Sequence, residues 1–173
     1  YFEAEIGGYG VICGLDTGCE GSDGVLPLHM AKILEGEGCE LRPANGGMRL
    51  PAGPVQKTVG TMKLEVTLTC QNSGRTAEFW VNFTVMDLNI KTPLIGWETR
   101  QRLGMRAGSD CIYFESDDEF ETPLVKETHE EDDEVVAMLK AMETVDEPTN
   151  RAVKGNLEKD QLFHSTPTFS SNQ

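Results

Sequence analysis

Two runs of alternating apolar and polar residues in the middle of the chain constrain its fold more than any other feature. The apolar side chains of the first run occupy every second position: Met62, Leu64, Val66, Leu68 and Cys70. Those of the second run follow the same rule: Ala77, Phe79, Val81, Phe83 and Val85. Because successive side chains of a strand point to opposite faces, each run predicts a strand with one buried face. The polar turn at residues 71–76 then predicts an antiparallel hairpin.

An apolar run near the N-terminus, residues 11–15, leads directly into an acidic turn. We expect Asp16 to leave a buried strand for a loop with little water, where its neighbours can tune its proton affinity. Thr17 adds a hydroxyl that can fix the loop, and Gly18 lets the backbone turn sharply. Asp16 is therefore the main candidate for a catalytic group.

Helix signals occur at two places. Pro27 suits a first helical position, and residues 28–34 predict a short helix that stops near Gly36. Residues 97–103 predict a second helix, with Gly104 as its C-terminal stop.

The remaining segments of the first two thirds predict short strands and one irregular stretch. Alternating residues at 1–6 and an apolar run at 111–114 predict strands. Residues 41–59 are rich in Gly and Pro, so they cannot form one continuous central strand. From composition alone, this stretch is a long surface loop.

Charge divides the chain into two parts. Residues 1–114 hold 13 acidic and 10 basic side chains, whereas residues 115–173 hold 16 and 5. The sequence therefore predicts a folded domain at 1–114 and an acidic, largely disordered linker or tail at 115–173. Because this negative charge repels phosphate groups, we expect no direct contact between this segment and nucleic acid.

Cysteine usage and hydropathy bear on the compartment and on metal binding. The five cysteines are odd in number and form no Cys-x-x-Cys pair, so neither a disulfide framework nor a zinc site is predicted. We expect a reducing compartment, either the cytoplasm or virus-like particles within it. No apolar run of about 18 residues and no signal peptide occur, so no membrane partner is predicted.

The order of these features resembles the retropepsins, the aspartic proteases of retroviruses and retrotransposons, from about residue 10 to residue 114. The resemblance rests on the strand into Asp16, the short helix, a Gly-rich stretch at 44–47, the paired strands and an apolar-apolar-Gly element at 94–96. It implies a mainly β, retropepsin-like half-barrel with one or two short helices, followed by a disordered acidic tail.

The resemblance also implies roles for three groups of residues. The catalytic loop would comprise Asp16, Thr17 and Gly18. The substrate-binding flap, a hairpin that closes over bound peptide, would carry at its tip Asn45, Gly46 and Gly47. The support beside the catalytic loop would comprise Leu94, Ile95 and Gly96. Family members often have Arg and then Asp or Asn after this glycine, where this chain has Trp97 and Glu98, so the family's usual contacts around the helix are not expected.

The chain holds a single Asp-Thr-Gly, while hydrolysis by this mechanism uses two carboxylates that face one water. The resemblance therefore implies a homodimer in which two Asp16 carboxyls meet at a two-fold axis and share one proton. A polypeptide would be the substrate, and no cofactor or metal is implied.

These implications lead to one main hypothesis and two alternatives. The main hypothesis is an aspartic endopeptidase that processes a retroelement polyprotein. The first alternative is a catalytically silent retropepsin-like module for dimerisation or peptide binding. The second is a host-encoded protease of the same fold.

Overall fold

The computed structural model describes residues 1–16, 22–49, 55–88, 90–125 and 167–170. Within these ranges the chain forms two short helices, α1 (Leu28–Gly36) and α2 (Trp97–Leu103). The strands of the same ranges are β1 (Phe2–Ile6), β2 (Tyr9–Leu15), β3 (Gly24–Pro27), β4 (Arg42–Pro43), β5 (Gly47–Arg49), β6 (Val55–Thr69), β7 (Thr76–Met86), β8 (Leu94–Ile95), β9 (Met105–Ala107), β10 (Cys111–Phe114), β11 (Asp117–Pro123) and β12 (Thr168–Phe169).

The predicted hairpin is confirmed as the longest paired element, β6 with β7. The two strands run antiparallel from Thr69, opposite Thr76, to Thr58, opposite Met86, with a register shift between Thr58 and Gly60. All ten apolar residues of the alternating runs are buried, because they share the face that points into the core. The alternation with a period of two therefore correctly predicted which face of β6 and of β7 is buried.

The main sheet closes on itself. β7 lies beside β3, followed in order by β8, β2, β1 and β6, and β6 pairs again with β7. Helix α1 contacts β3 and β7, and it buries Met30, Ala31 and Leu34. The interior is filled by a single large apolar cluster that includes Phe2, Leu26 and further side chains from every strand of the closed sheet.

The second sheet corrects the predicted domain boundary at residue 114. β11 lies wholly within the predicted tail, yet it pairs with β10, which pairs in turn with β9. Phe120 of β11 is fully buried, and its ring lies edge-on to Phe114 with 5.4 Å between the ring centroids. A single apolar residue in an acidic run carries no clear sequence signal, so composition alone missed this strand.

The correction extends to both ends of the tail. The Val125 N–H donates to the Tyr1 carbonyl oxygen at 2.8 Å, so the folded unit reaches at least this residue. The strand β12 pairs with β7 from much further along the chain. Residues 126–166, for which a linker was predicted, lie outside the described residues.

Neither helix in the described ranges has the length and apolar character that crossing a membrane would need.

Candidate active site

Strand β8 lies between β2 and β3 and so holds both ends of the loop that begins at Asp16. β2 pairs with β8 in parallel, with Leu15 opposite Ile95. β3 pairs with β8 in the antiparallel sense, with Gly24 opposite Ile95. One short strand therefore brings the end of β2 and the start of β3 together, with Leu15 and Gly24 on either side of Ile95. Leu94 and Ile95 form β8, and Gly96 follows it directly.

Asp16 sits at the carboxyl end of β2, where that strand and β8 end together. Its side chain is half-buried, and its backbone N–H donates to the Ile95 carbonyl oxygen at 3.0 Å. The structure therefore anchors the backbone that carries this carboxyl group. Thr17 and Gly18, the other predicted members of the catalytic loop, lie outside the described residues.

Gly96 permits the close approach of the loop to β8. Its N–H donates to the Asp23 carbonyl oxygen at 2.8 Å, and a Cβ at this position would collide with the carbonyl oxygen of Ser22. Gly24, on the other side, would place a Cβ 2.7 Å from the Leu94 carbonyl oxygen. Both positions need glycine, because a Cβ would overlap backbone atoms that cannot shift without distorting the strands.

A polar network that the sequence did not reveal joins the loop to helix α2. The Thr99 hydroxyl donates to Asp23 Oδ1 at 3.2 Å, and Arg102 Nη2 lies 3.8 Å from the same oxygen. Arg102 Nη2 also donates to the Trp80 carbonyl oxygen at 3.0 Å. Burial lowers the pKa of the Arg102 guanidinium, and the nearby Asp23 carboxylate opposes that shift.

This network involves the helix that also carries Trp97 and Glu98, the two residues because of which the family's usual contacts were not expected. Both of those side chains are exposed, whereas Thr99 is fully buried. Helix α2 is therefore linked to Asp23 through Thr99 and Arg102. The available signals in the sequence were an acidic residue, Asp23, and an arginine on helix α2. Because the two are far apart in the chain, nothing in the sequence indicated that they pair.

Arg100, on the same helix, is buried without such partners. The residue is 9% exposed, and within the part of the chain that the structure describes its Nε and Nη1 atoms have no hydrogen-bond acceptor. Because these two buried nitrogen atoms have lost their hydration without gaining an acceptor among the described residues, they oppose folding. This residue was not singled out from the sequence.

The predicted flap is a hairpin, but the glycines lie at its base rather than at its tip. Gly47 pairs with Lys57 at the first position of β5, and the Thr58 N–H donates to the Gly46 carbonyl oxygen at 3.1 Å. Asn45 precedes these residues and is exposed. The connection between the two strands, residues 50–54, lies outside the described residues, and composition alone had wrongly favoured a loop for the whole stretch.

The other chemically reactive groups that the structure describes near Asp16 do not form a second site. Cys13, on β2, is fully buried, and burial raises the pKa of its thiol, so it belongs to the core. Among the described residues, no group of three or more His, Cys, Asp or Glu side chains could hold a metal ion.

Comparison with known proteins shows the fold of this chain. No family model matches it, and no curated protein matches it. Its structure is similar to the crystal structure of the retroviral protease-like domain of Ddi1 from Leishmania major, with a TM-score of 0.53 and 18% sequence identity. The match covers 75% of this chain and 95% of that one. The predicted retropepsin-like, mainly β fold is therefore confirmed.

Proposed function

We propose that this chain is an aspartic endopeptidase whose active site forms when two copies bring their Asp16 carboxyls together. The observation that carries this proposal is the anchoring of Asp16, at the carboxyl end of β2, by a backbone hydrogen bond to Ile95. β8 pairs with both β2, which ends before Asp16, and β3, in the fold shared with a retroviral protease-like domain.

The proposed chemistry requires two carboxyl groups in different protonation states. Two carboxylates close together cannot both ionise comfortably, so the pair binds one proton and titrates in two macroscopic steps. The ionised Asp16 would accept a proton from the attacking water, and the protonated Asp16 would donate a hydrogen bond to the developing oxyanion. A single copy of the chain supplies only one of these groups.

Exposed apolar side chains near the loop favour the pairing of two copies. The Tyr1 ring approaches Gly14, two residues before Asp16, and Val125 bonds to the Tyr1 backbone. Trp97 follows Gly96 directly. These three side chains are 39–45% exposed, which is the kind of surface that a partner covers.

The hairpin of β5 and β6 is the proposed cover over bound peptide. Val55 and Val59 of β6 are the other large apolar side chains that the described residues leave exposed, at 60% and 37%. An extended substrate would pair with backbone in the groove below, while apolar pockets select its side chains. Asn45, Gly46 and Gly47 would act as the base of this hairpin, not as the part that touches substrate.

The substrate that we propose is the polyprotein of a retroelement. The similarity to the Ddi1 domain favours a second candidate, a host-encoded protease of the same fold. The coding sequence on either side separates the two: a reverse transcriptase downstream supports the polyprotein, whereas domains unrelated to retroelements support the alternative.

Replacement of Asp16 tests the catalytic assignment. Asp16→Asn removes the base and should lower cleavage of a peptide library roughly 100-fold or more, while circular dichroism stays unchanged. The control is Asp110→Asn, at an exposed position in the turn before β10, which should cleave as the unmodified chain does. Equal cleavage by Asp16→Asn and the unmodified chain would reject the catalytic role of Asp16, and no cleavage by either would leave the silent module.

Dilution tests the requirement for two copies. If the site exists only in the dimer, specific activity should fall as the chain is diluted below its dissociation constant. Sedimentation velocity at the same concentrations gives the fraction of dimer. Constant specific activity in a sample that is wholly monomeric would contradict the two-copy site.

A further inference from the structure

The outer edge of β7 is a place where the chain binds its own C-terminal segment. β7 pairs with β6 along its whole length on one side, and with β3 on the other side only at residues 83–86. At the start of β7, Thr168 lies opposite Glu78 and Phe169 lies opposite Ala77. This pairing adds a two-residue strand to an edge that would otherwise be open.

Backbone and hydroxyl groups fix the register of the added strand. The Ser170 N–H donates to the Thr76 carbonyl oxygen at 2.9 Å, and the Thr76 N–H donates to the Ser170 hydroxyl at 2.8 Å. Ser170 thus satisfies both backbone groups of Thr76. The serine side chain thus takes the place of a strand carbonyl oxygen as the acceptor for the Thr76 N–H.

An aromatic site receives the single large side chain of the segment. The Phe169 ring lies 5.5 Å from Phe114 and 5.4 Å from Phe120, between centroids, in edge-on and tilted arrangements that aromatic rings favour. The Arg75 guanidinium lies over the same ring, 5.7 Å from its centroid, and also pairs with Asp117. Phe114 and Phe120 are fully buried and contact each other, so this site is built by the domain itself.

Residues 167–170 are separated from the rest of the folded domain by a long stretch of sequence, which makes this segment more like a bound peptide than a core strand. In sequence, residues 126–166 lie between it and Val125, whose N–H bonds to the Tyr1 backbone. Within the described part of the chain, four residues so distant in sequence, 167–170, contact the domain through backbone pairing and one aromatic ring. Those contacts are the means by which proteins recognise extended peptides: strand addition for affinity and a pocket for specificity.

We propose that the β7 edge and its aromatic site form a peptide-recognition site for an extended Pro-Thr-Phe-Ser segment, and that the chain's own C-terminal segment occupies it in cis as a tethered ligand. The site is separate from the Asp16 loop and does not depend on proteolysis. Phe169 supplies the anchor, and Ser170 supplies the register.

The test uses the full chain carrying Phe169→Ala and a fluorescent peptide of residues 165–173. The variant should bind the peptide at least tenfold more tightly than the unmodified chain, in which the tethered segment competes. The matched control is Thr168→Ala, whose exposed side chain makes no part of the aromatic site; it should behave as the unmodified chain. A peptide carrying Ala in place of Phe169 should not bind the variant.

Hydrogen exchange at the Thr76 amide gives an independent readout. Exchange should be faster in Phe169→Ala, and also in Ser170→Ala, which removes only the hydroxyl acceptor and leaves the domain intact. Failure of the peptide to bind Phe169→Ala, or unchanged Thr76 exchange in both variants, would overturn the proposal. A dimer of the unmodified chain that dissociates on Phe169→Ala would assign the segment to a second copy and overturn binding in cis.

Discussion

Two arginines on α2, two positions apart, illustrate how surroundings decide the effect of a charge. Arg102 has Asp23 and the Trp80 carbonyl oxygen as partners, whereas two nitrogen atoms of Arg100 have no acceptor among the described residues. Arg102→Met should lower the free energy of unfolding by about 1–3 kcal/mol, because it leaves the Asp23 carboxylate with one partner fewer. Arg100→Met should raise it by about 1 kcal/mol or more, because an apolar side chain of similar length replaces an uncompensated charge.

The same substitution at neighbouring positions on one helix makes each variant the control for the other. Chemical denaturation at neutral pH measures both free energies. A loss of stability for Arg100→Met would show that its guanidinium pairs with a group beyond the described residues, such as one in the loop at 17–21 or on a second copy.

The close contact of Gly96 with Ser22 and Asp23 depends on the absence of a side chain at Gly96. Gly96→Ala should destabilise the chain by about 1–3 kcal/mol, because its Cβ would meet the Ser22 backbone, and it should reduce peptide cleavage as the loop moves. The control is Gly36→Ala at the end of α1, where nothing lies within 4 Å of the new Cβ. That variant should be neutral or slightly stabilising, because alanine favours helix. Equal melting temperatures for Gly96→Ala and Gly36→Ala would contradict the close backbone contact at Gly96.

The folded molecule includes the β9–β11 sheet, so its stability should depend on residues beyond 114. A chain that ends at Phe114 loses β11 and leaves the core under Phe120 open, so it should not unfold cooperatively; a chain that ends at Val125 should. Within the full chain, Phe120→Ala should cost about 3–5 kcal/mol, because the ring is fully buried. Thermal unfolding followed by near-ultraviolet circular dichroism measures all three, and identical transitions for the two shortened chains would restore the boundary at 114.

The sequence by itself determined the elements whose signals are local. Alternation with a period of two gave β6, β7 and their buried faces, Pro27 and Gly104 marked helix ends, and the apolar run before Asp16 marked the candidate catalytic residue. Such patterns can be detected in a sequence because neighbouring residues of one element share one backbone conformation. The sequence also carried, through its order of motifs, the likeness to the retropepsins that the fold confirms.

Only the tertiary structure decided which distant segments meet. Residues far apart in the chain meet where β8 lies between β2 and β3, and where Asp23 contacts Thr99 and Arg102. They also meet at the hairpin base, Gly46 and Gly47, and where the fully buried Phe120 and the half-buried Phe169 contact other aromatic rings. No local period records such pairings, because their energy arises from packing and hydrogen bonds that exist only once the sheet has closed.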